Sequence, residues 1–132
     1  MGTVVNRALV VDDDDAIRET LRSLLEDAGY AVEEASEGME ALRYLRMCRD
    51  RMVVLLDLMM PGLDGAGVLG AVAGDRKLAQ QFAFILITAN HNTLTLALAN
   101  LLKNLDVPFV SKPFDVDHLV GVVDAAARRL AR

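Results

Sequence analysis

Five positions carry residue types whose chemistry fits together. Asp57 closes an apolar run, Met52-Val53-Val54-Leu55-Leu56, and precedes Leu58-Met59-Met60-Pro61-Gly62. A carboxylate there is badly placed for packing and well placed for chemistry, because open parallel α/β sheets bind ligands at the carboxyl ends of their strands. Three other apolar runs end on matching polar residues: Asp12 and Asp13, Thr88, and Lys112. Asp12, Asp13 and Asp57 at neighbouring strand ends repel one another, which raises their pKa values unless a cation sits among them. A hard divalent ion bound by carboxylates, a backbone carbonyl and waters relieves this, and Mg²⁺ is the natural choice. Lys112 adds positive charge and Thr88 a hydroxyl donor. The set suits phosphoryl transfer, with Asp57 as the in-line nucleophile and an aspartyl phosphate as the product. An ionised carboxylate needs no general base.

The chain must bring these positions together, and its pattern does so by alternating short apolar runs with helical segments. That order reads as βα repeats and a parallel sheet. Ala8-Leu9-Val10-Val11 is the first strand, apolar throughout as a strand covered on both faces should be. A helix follows, with Ile17, Leu21, Leu24, Leu25 and Ala28 on one stripe, Asp14 or Asp15 at its start and Gly29 at its end. Ala31 to Ala35 is a weaker strand whose Glu33 and Glu34 suggest an edge. A second helix spans about Gly38 to Cys48, and Met52 to Leu56 reads as the central strand.

A third helix is expected over Gly65 to Ala73. Gly65, Gly67 and Gly70 each cost it about 1 kcal/mol relative to alanine, so it is either soft or closely packed on the sheet. Phe82 to Ile87 is the fourth strand. A fourth helix covers about Thr93 to Leu105, with Leu94, Leu98, Leu101, Leu102 and Leu105 inward and Leu96 outward. Val107 to Ser111 is a fifth strand, placed at an edge by Pro108, and a fifth helix runs from about Val116 to Arg132.

With 132 residues the chain suits one compact domain, residues 1–132. No apolar run approaches the ~18 residues that span a bilayer, and no signal peptide is visible. A net charge of −5 argues against nucleic-acid binding. A single cysteine, Cys48, excludes an internal disulfide and points to a reducing, cytoplasmic setting, with the thiol packed in the interior. His91 and His118 lack metal-ligand spacing.

The chain resembles the receiver domain of two-component response regulators, the CheY-like family. The resemblance rests on Leu9-Val10-Val11-Asp12-Asp13-Asp14, Asp57 to Gly65, Ile87-Thr88-Ala89 and Ser111-Lys112-Pro113-Phe114, in order across nearly the whole chain. It implies a doubly wound, flavodoxin-like fold with strand order 2-1-3-4-5 and five flanking helices. By the same resemblance Asp57 is the phosphoacceptor, and Asp12, Asp13, Asp57 and the Met59 backbone carbonyl hold Mg²⁺. Lys112 pairs with the phosphoryl group, across a cis Lys112-Pro113 bond. Thr88 and Phe109 form the switch. Met59 and Asn90 flank the phosphoryl position.

The function implied is a phosphorylation-controlled signalling module, not a metabolic enzyme, that catalyses its own phosphorylation and dephosphorylation. The donor is a sensor histidine kinase or a histidine phosphotransfer protein. The fourth helix, fifth strand and fifth helix form the surface for an output partner or a homodimer, with no direct nucleic-acid or membrane binding. Either a stand-alone receiver or one cut from a larger regulator or hybrid kinase fits. Two alternatives remain. A non-phosphorylated receiver-like scaffold is opposed by the intact Asp57, Thr88 and Lys112. A Mg²⁺-dependent aspartyl-phosphate phosphohydrolase of haloacid-dehalogenase type is opposed by Met59, since such enzymes carry a second Asp two residues after the nucleophile. A dinucleotide-binding domain is weaker still, because no G-x-G-x-x-G follows the first strand.

Overall fold

A computed structural model describes residues 4–89 and 94–131. The elements in order are β1 (Arg7–Val11), α1 (Asp15–Asp27), β2 (Ala31–Ala35), α2 (Gly38–Met47), β3 (Met52–Asp57), α3 (Gly65–Ala73), α4 (Arg76–Gln81), β4 (Phe82–Thr88), α5 (Leu96–Leu105), β5 (Phe109–Ser111) and α6 (Val116–Leu130). All strand pairs are parallel, and the sheet order is β2-β1-β3-β4-β5. The edge placement expected for β2 and β5 is therefore what the structure shows.

Side chains alternate across the strands, so each central strand feeds two cores. Leu9, Val11, Val54, Leu56 and Leu86 enter the layer that also holds buried residues of α2, α3, α4 and α5. Ala8, Val10, Val53, Leu55, Ile85 and Ile87 enter the opposite layer, against α1 and α6. Every residue of β3 is buried, as its uninterrupted apolar run requires of a strand covered on both faces.

Three details depart from the sequence reading. The described residues contain six helices, because a short α4 precedes β4. It is capped by Asp75, whose carboxylate accepts from Lys77 and Leu78, and only Leu78 is buried, so six residues leave no readable stripe. β5 begins at Phe109, two residues late. Pro108 has no N–H to offer the ladder, although its carbonyl still accepts from Leu86 at 3.0 Å. α5 begins at Leu96 behind a Thr95 cap; the expected start, Thr93, lies outside the described residues.

The glycines of α3 divide into two kinds. A Cβ on Gly65 would stand 2.6 Å from the Asp57 carbonyl oxygen and 2.8 Å from Leu58 Cα, whereas one on Gly70 would meet nothing within 4 Å. Close packing explains Gly65, and it seats the start of α3 directly on the end of β3. Gly29, at φ 98°, takes the left-handed turn after α1.

Candidate functional site

The strand register gathers the polar strand ends at one edge of the sheet. Val11 pairs with Leu56, Asp57 with Ile87, and Thr88 with Ser111. Asp12, Asp57, Thr88 and Lys112 therefore follow one another across four adjacent strands. Among the described residues, the buried polar side chains are Asp12, Asp57 and Thr88. All three belong to this cluster, which packing alone would not favour.

Each member is held by backbone bonds. The Asp12 carboxylate accepts from the Asp14 N–H at 2.9 Å, while Asp14 in turn caps α1 by accepting from Ala16 and Ile17. Leu58 N–H donates to the Ile87 carbonyl at 3.0 Å, Gly65 N–H to the Leu58 carbonyl at 3.0 Å, and Lys112 N–H to the Thr88 carbonyl at 2.8 Å. The Lys112-Pro113 bond is cis. The Lys112 ammonium reaches inward, 3.1 Å from Asp12 Oδ2 and 3.5 Å from Asp57 Oδ1.

The charge balance is incomplete. Carboxylate oxygens of Asp12, Asp13 and Asp57 lie within 4.8 Å of one another. Burial, and then the neighbouring Asp12 charge, push the Asp57 carboxyl up to about 6, against the opposing pull of Lys112 and the Met59 backbone N–H. Two buried carboxylates and a third at the surface share one ammonium. That donor set, all hard oxygen and short of positive charge, fits a divalent cation such as Mg²⁺.

Residues 8–124 match the response regulator receiver domain. The chain belongs to the response regulator receiver family. This receiver is 37% identical over 124 residues to "Response regulator MprA" of Mycobacterium leprae (strain TN), across 93% of the chain and 51% of that protein. It is 38% identical over 123 residues to the protein of the same name from Mycobacterium sp. (strain KMS), at the same coverage. The chain thus spans about half the length of the curated relatives it matches. Among solved structures it is similar to a CheY-like receiver domain protein from Methanospirillum hungatei JF-1, with TM-score 0.81 and 30% identity over 94% of this chain and 95% of that one. It is also similar to the Francisella response regulator 1452 receiver domain, with TM-score 0.79 and 27% identity over 94% and 98%. The receiver therefore belongs to two-component signalling, and its fold is the doubly wound one the motifs implied.

The remaining residues singled out in the sequence fall as follows. Phe109 is half-buried in the layer shared with α5. Met59 is exposed as a side chain. Cys48 is half-buried against the same layer as Phe109. His118 is exposed in the first turn of α6. Asn90 and His91 lie outside the described residues. Leu96 points outward, 78% exposed.

Sequence reasoning passed over Arg18 and read Glu34 only as a sign of the sheet edge. The Arg18 guanidinium donates to the Asp12 carbonyl at 2.7 Å, to Glu34 at 3.0 Å and to Asp15 at 2.5 Å. Arg22 also grips Glu34. The glutamate read as a mark of the sheet edge is thus an anchor that ties α1, β2 and the Asp12 backbone together. No local spacing announces a pair 16 residues apart across two elements.

Proposed function

We propose that Asp57 is the phosphoacceptor of this receiver. The observation that carries the reading is a buried carboxylate at the end of β3, 3.5 Å from Lys112 and within 4.8 Å of the Asp12 and Asp13 oxygens. The donor is a phosphohistidine on a sensor histidine kinase or a histidine phosphotransfer protein. A carboxylate oxygen of Asp57 attacks phosphorus, the P–N bond breaks as the P–O bond forms, and the imidazole leaves with the electron pair. Hydrolysis of the acyl phosphate by water restores Asp57.

Asp12, Asp13, Asp57 and the Met59 carbonyl would hold Mg²⁺, which supplies positive charge against the phosphoryl oxygens. Lys112 neutralises the same charge from β5, and the Thr88 hydroxyl donates to a phosphoryl oxygen. In this sense the domain catalyses its own phosphorylation and dephosphorylation.

Phosphorylation adds about −1.5 to −2 charges at this edge. Thr88 and Phe109 pass the change to α5, β5 and α6, the surface for an output partner or a second copy. A complete reversal of a 1:99 population would need about 5.5 kcal/mol of differential stabilisation. The exposed Leu96 at the start of α5 supports this surface. The setting is cytoplasmic; among the described residues, no helix is long and apolar enough to cross a membrane.

Intact-protein mass after incubation with acetyl phosphate tests the reading, with and without Mg²⁺ and beside Asp57→Ala. One phosphoryl adduct requiring both Mg²⁺ and Asp57 is expected. An adduct that persists in Asp57→Ala overturns the assignment. No adduct from acetyl phosphate or from a phosphohistidine donor overturns it in favour of a binding scaffold.

A further inference from the structure

The end of the sheet opposite Asp57 carries an unbalanced charge of the other sign. Arg49 and Arg51 precede β3, and α4, which holds Arg76 and Lys77, precedes β4. Because β3 and β4 are parallel, these segments meet at the amino-terminal edge, a strand length of about 17 Å from Asp57. Arg49, Arg51, Arg76, Lys77, Gln80 and Gln81 line one shallow concavity of about 520 Å³.

No carboxylate lines it, in a chain whose acidic side chains outnumber its lysines and arginines by 19 to 14. Arg7, Arg18, Arg22 and Arg129 each pair with an acid, whereas the described cations that share no ion pair elsewhere, such as Arg43 and Arg46, do not gather on one concavity. Among the described residues, Arg49, Arg76 and Lys77 have no ion-pair partner, and Arg51 donates only to the neutral Leu130 carbonyl. The nearby acids are engaged: Asp50 with Arg7, and Asp75 with the cap of α4. The floor is tied down as well. The Gln81 amide donates to the Cys48 carbonyl at 2.8 Å and the Asp50 carbonyl at 3.1 Å, holding the loop before β3 against α4.

Four like charges around a concavity that no carboxylate lines are mutually unfavourable, and a bound anion offsets that repulsion. Guanidinium forks match carboxylates in a planar, two-bond geometry. The rest of the molecule carries net negative charge, which disfavours an extended polyanion such as nucleic acid but not a short chain confined to the concavity. We propose that this face is a docking site for an acidic polypeptide segment.

A short polyglutamate peptide titrated into the ¹⁵N-labelled protein is the test, beside inorganic tripolyphosphate and a single-stranded oligonucleotide. Polyglutamate is expected to bind, with amide shifts confined to residues 49–51 and 76–81 and weakening as salt is added. The double variant Arg49→Glu, Arg76→Glu is expected to weaken binding at least about tenfold, while its thermal midpoint is no lower than the parent's, because both residues are exposed, outside any ion pair, and relieved of like-charge repulsion. Shifts elsewhere, binding that survives the double reversal, or binding of tripolyphosphate or the oligonucleotide without polyglutamate overturns the proposal.

Discussion

The Lys112 ammonium sits closer to Asp12 than to Asp57, 3.1 Å against 3.5 Å. The cation nearest the proposed phosphoacceptor is therefore committed first to its neighbour. Asp57 is left with a contact at the limit of hydrogen-bonding distance, and its carboxyl rises to about 6 in consequence of burial and of the Asp12 charge.

That rise has a definite sign in stability. Unfolded Asp57 loses its proton near pH 4, and folded Asp57 near pH 6. Between these values the folded state holds the extra proton, so its stability falls as pH rises through the window, and the loss is complete above it. In EDTA, Asp57→Asn is expected to match the parent at pH 3 and to exceed it by about 1–3 kcal/mol at pH 8. Denaturant unfolding across this range is the measurement. A variant less stable than the parent at pH 8 would show that the carboxylate is already compensated.

Removing the ammonium has the opposite effect. Lys112→Met leaves Asp12 and Asp57 buried with no cation between them. The expected cost in EDTA at neutral pH is about 1–3 kcal/mol, with Asp57 titrating above its present value. Carboxyl ¹³C chemical shifts against pH read the titration directly. An unchanged Asp57 midpoint would remove Lys112 from the electrostatics of the site.

Two of the three glycines of α3, Gly65 and Gly70, separate backbone clearance from helix propensity. Gly65→Ala places a methyl 2.6 Å from the Asp57 carbonyl oxygen and is expected to destabilise by about 1–3 kcal/mol. Gly70→Ala meets nothing within 4 Å and is expected to stabilise by about 0.5–1 kcal/mol. Paired thermal or urea unfolding checks both. Equal effects would mean that α3 does not rest on the end of β3.

Glu34 supplies stability that acid removes. Arg22 first, and then Arg18, hold its carboxyl below the usual range despite partial burial. A depressed carboxylate contributes above its unfolded pKa and loses that contribution as pH falls through its folded value. Glu34→Gln is thus expected to cost about 1 kcal/mol at pH 7, and nothing once both states are protonated. Urea unfolding at pH 7 and near pH 2 distinguishes this from a loss of shape, which would cost the same at both.

The apolar runs of β1, β3 and β4 and the stripe of α1 were legible because burial on both faces of a sheet, or on one face of a helix, leaves a periodic mark in the chain. The polar residues ending those runs were legible for the same reason, since Asp57 and Thr88 interrupt a pattern that packing would have continued. Neither α4 nor the late start of β5 leaves such a mark. The first buries a single leucine, and the second is decided by the missing N–H of Pro108.

By itself the sequence determined which residue types stand at the strand ends, and hence that carboxylates, a hydroxyl and an ammonium would meet at one edge of a parallel sheet. Only the tertiary structure decided how their charge is shared. Lys112 leans to Asp12, Arg18 reaches the Asp12 carbonyl through an anchor on Glu34, and Gly65 clears the Asp57 backbone. Four arginines and lysines line one concavity at the far edge, and no carboxylate lines it. The reason is physical: periodic burial is a local property of the chain, whereas Coulomb energy and close contact depend on distances that exist only once distant segments are packed together.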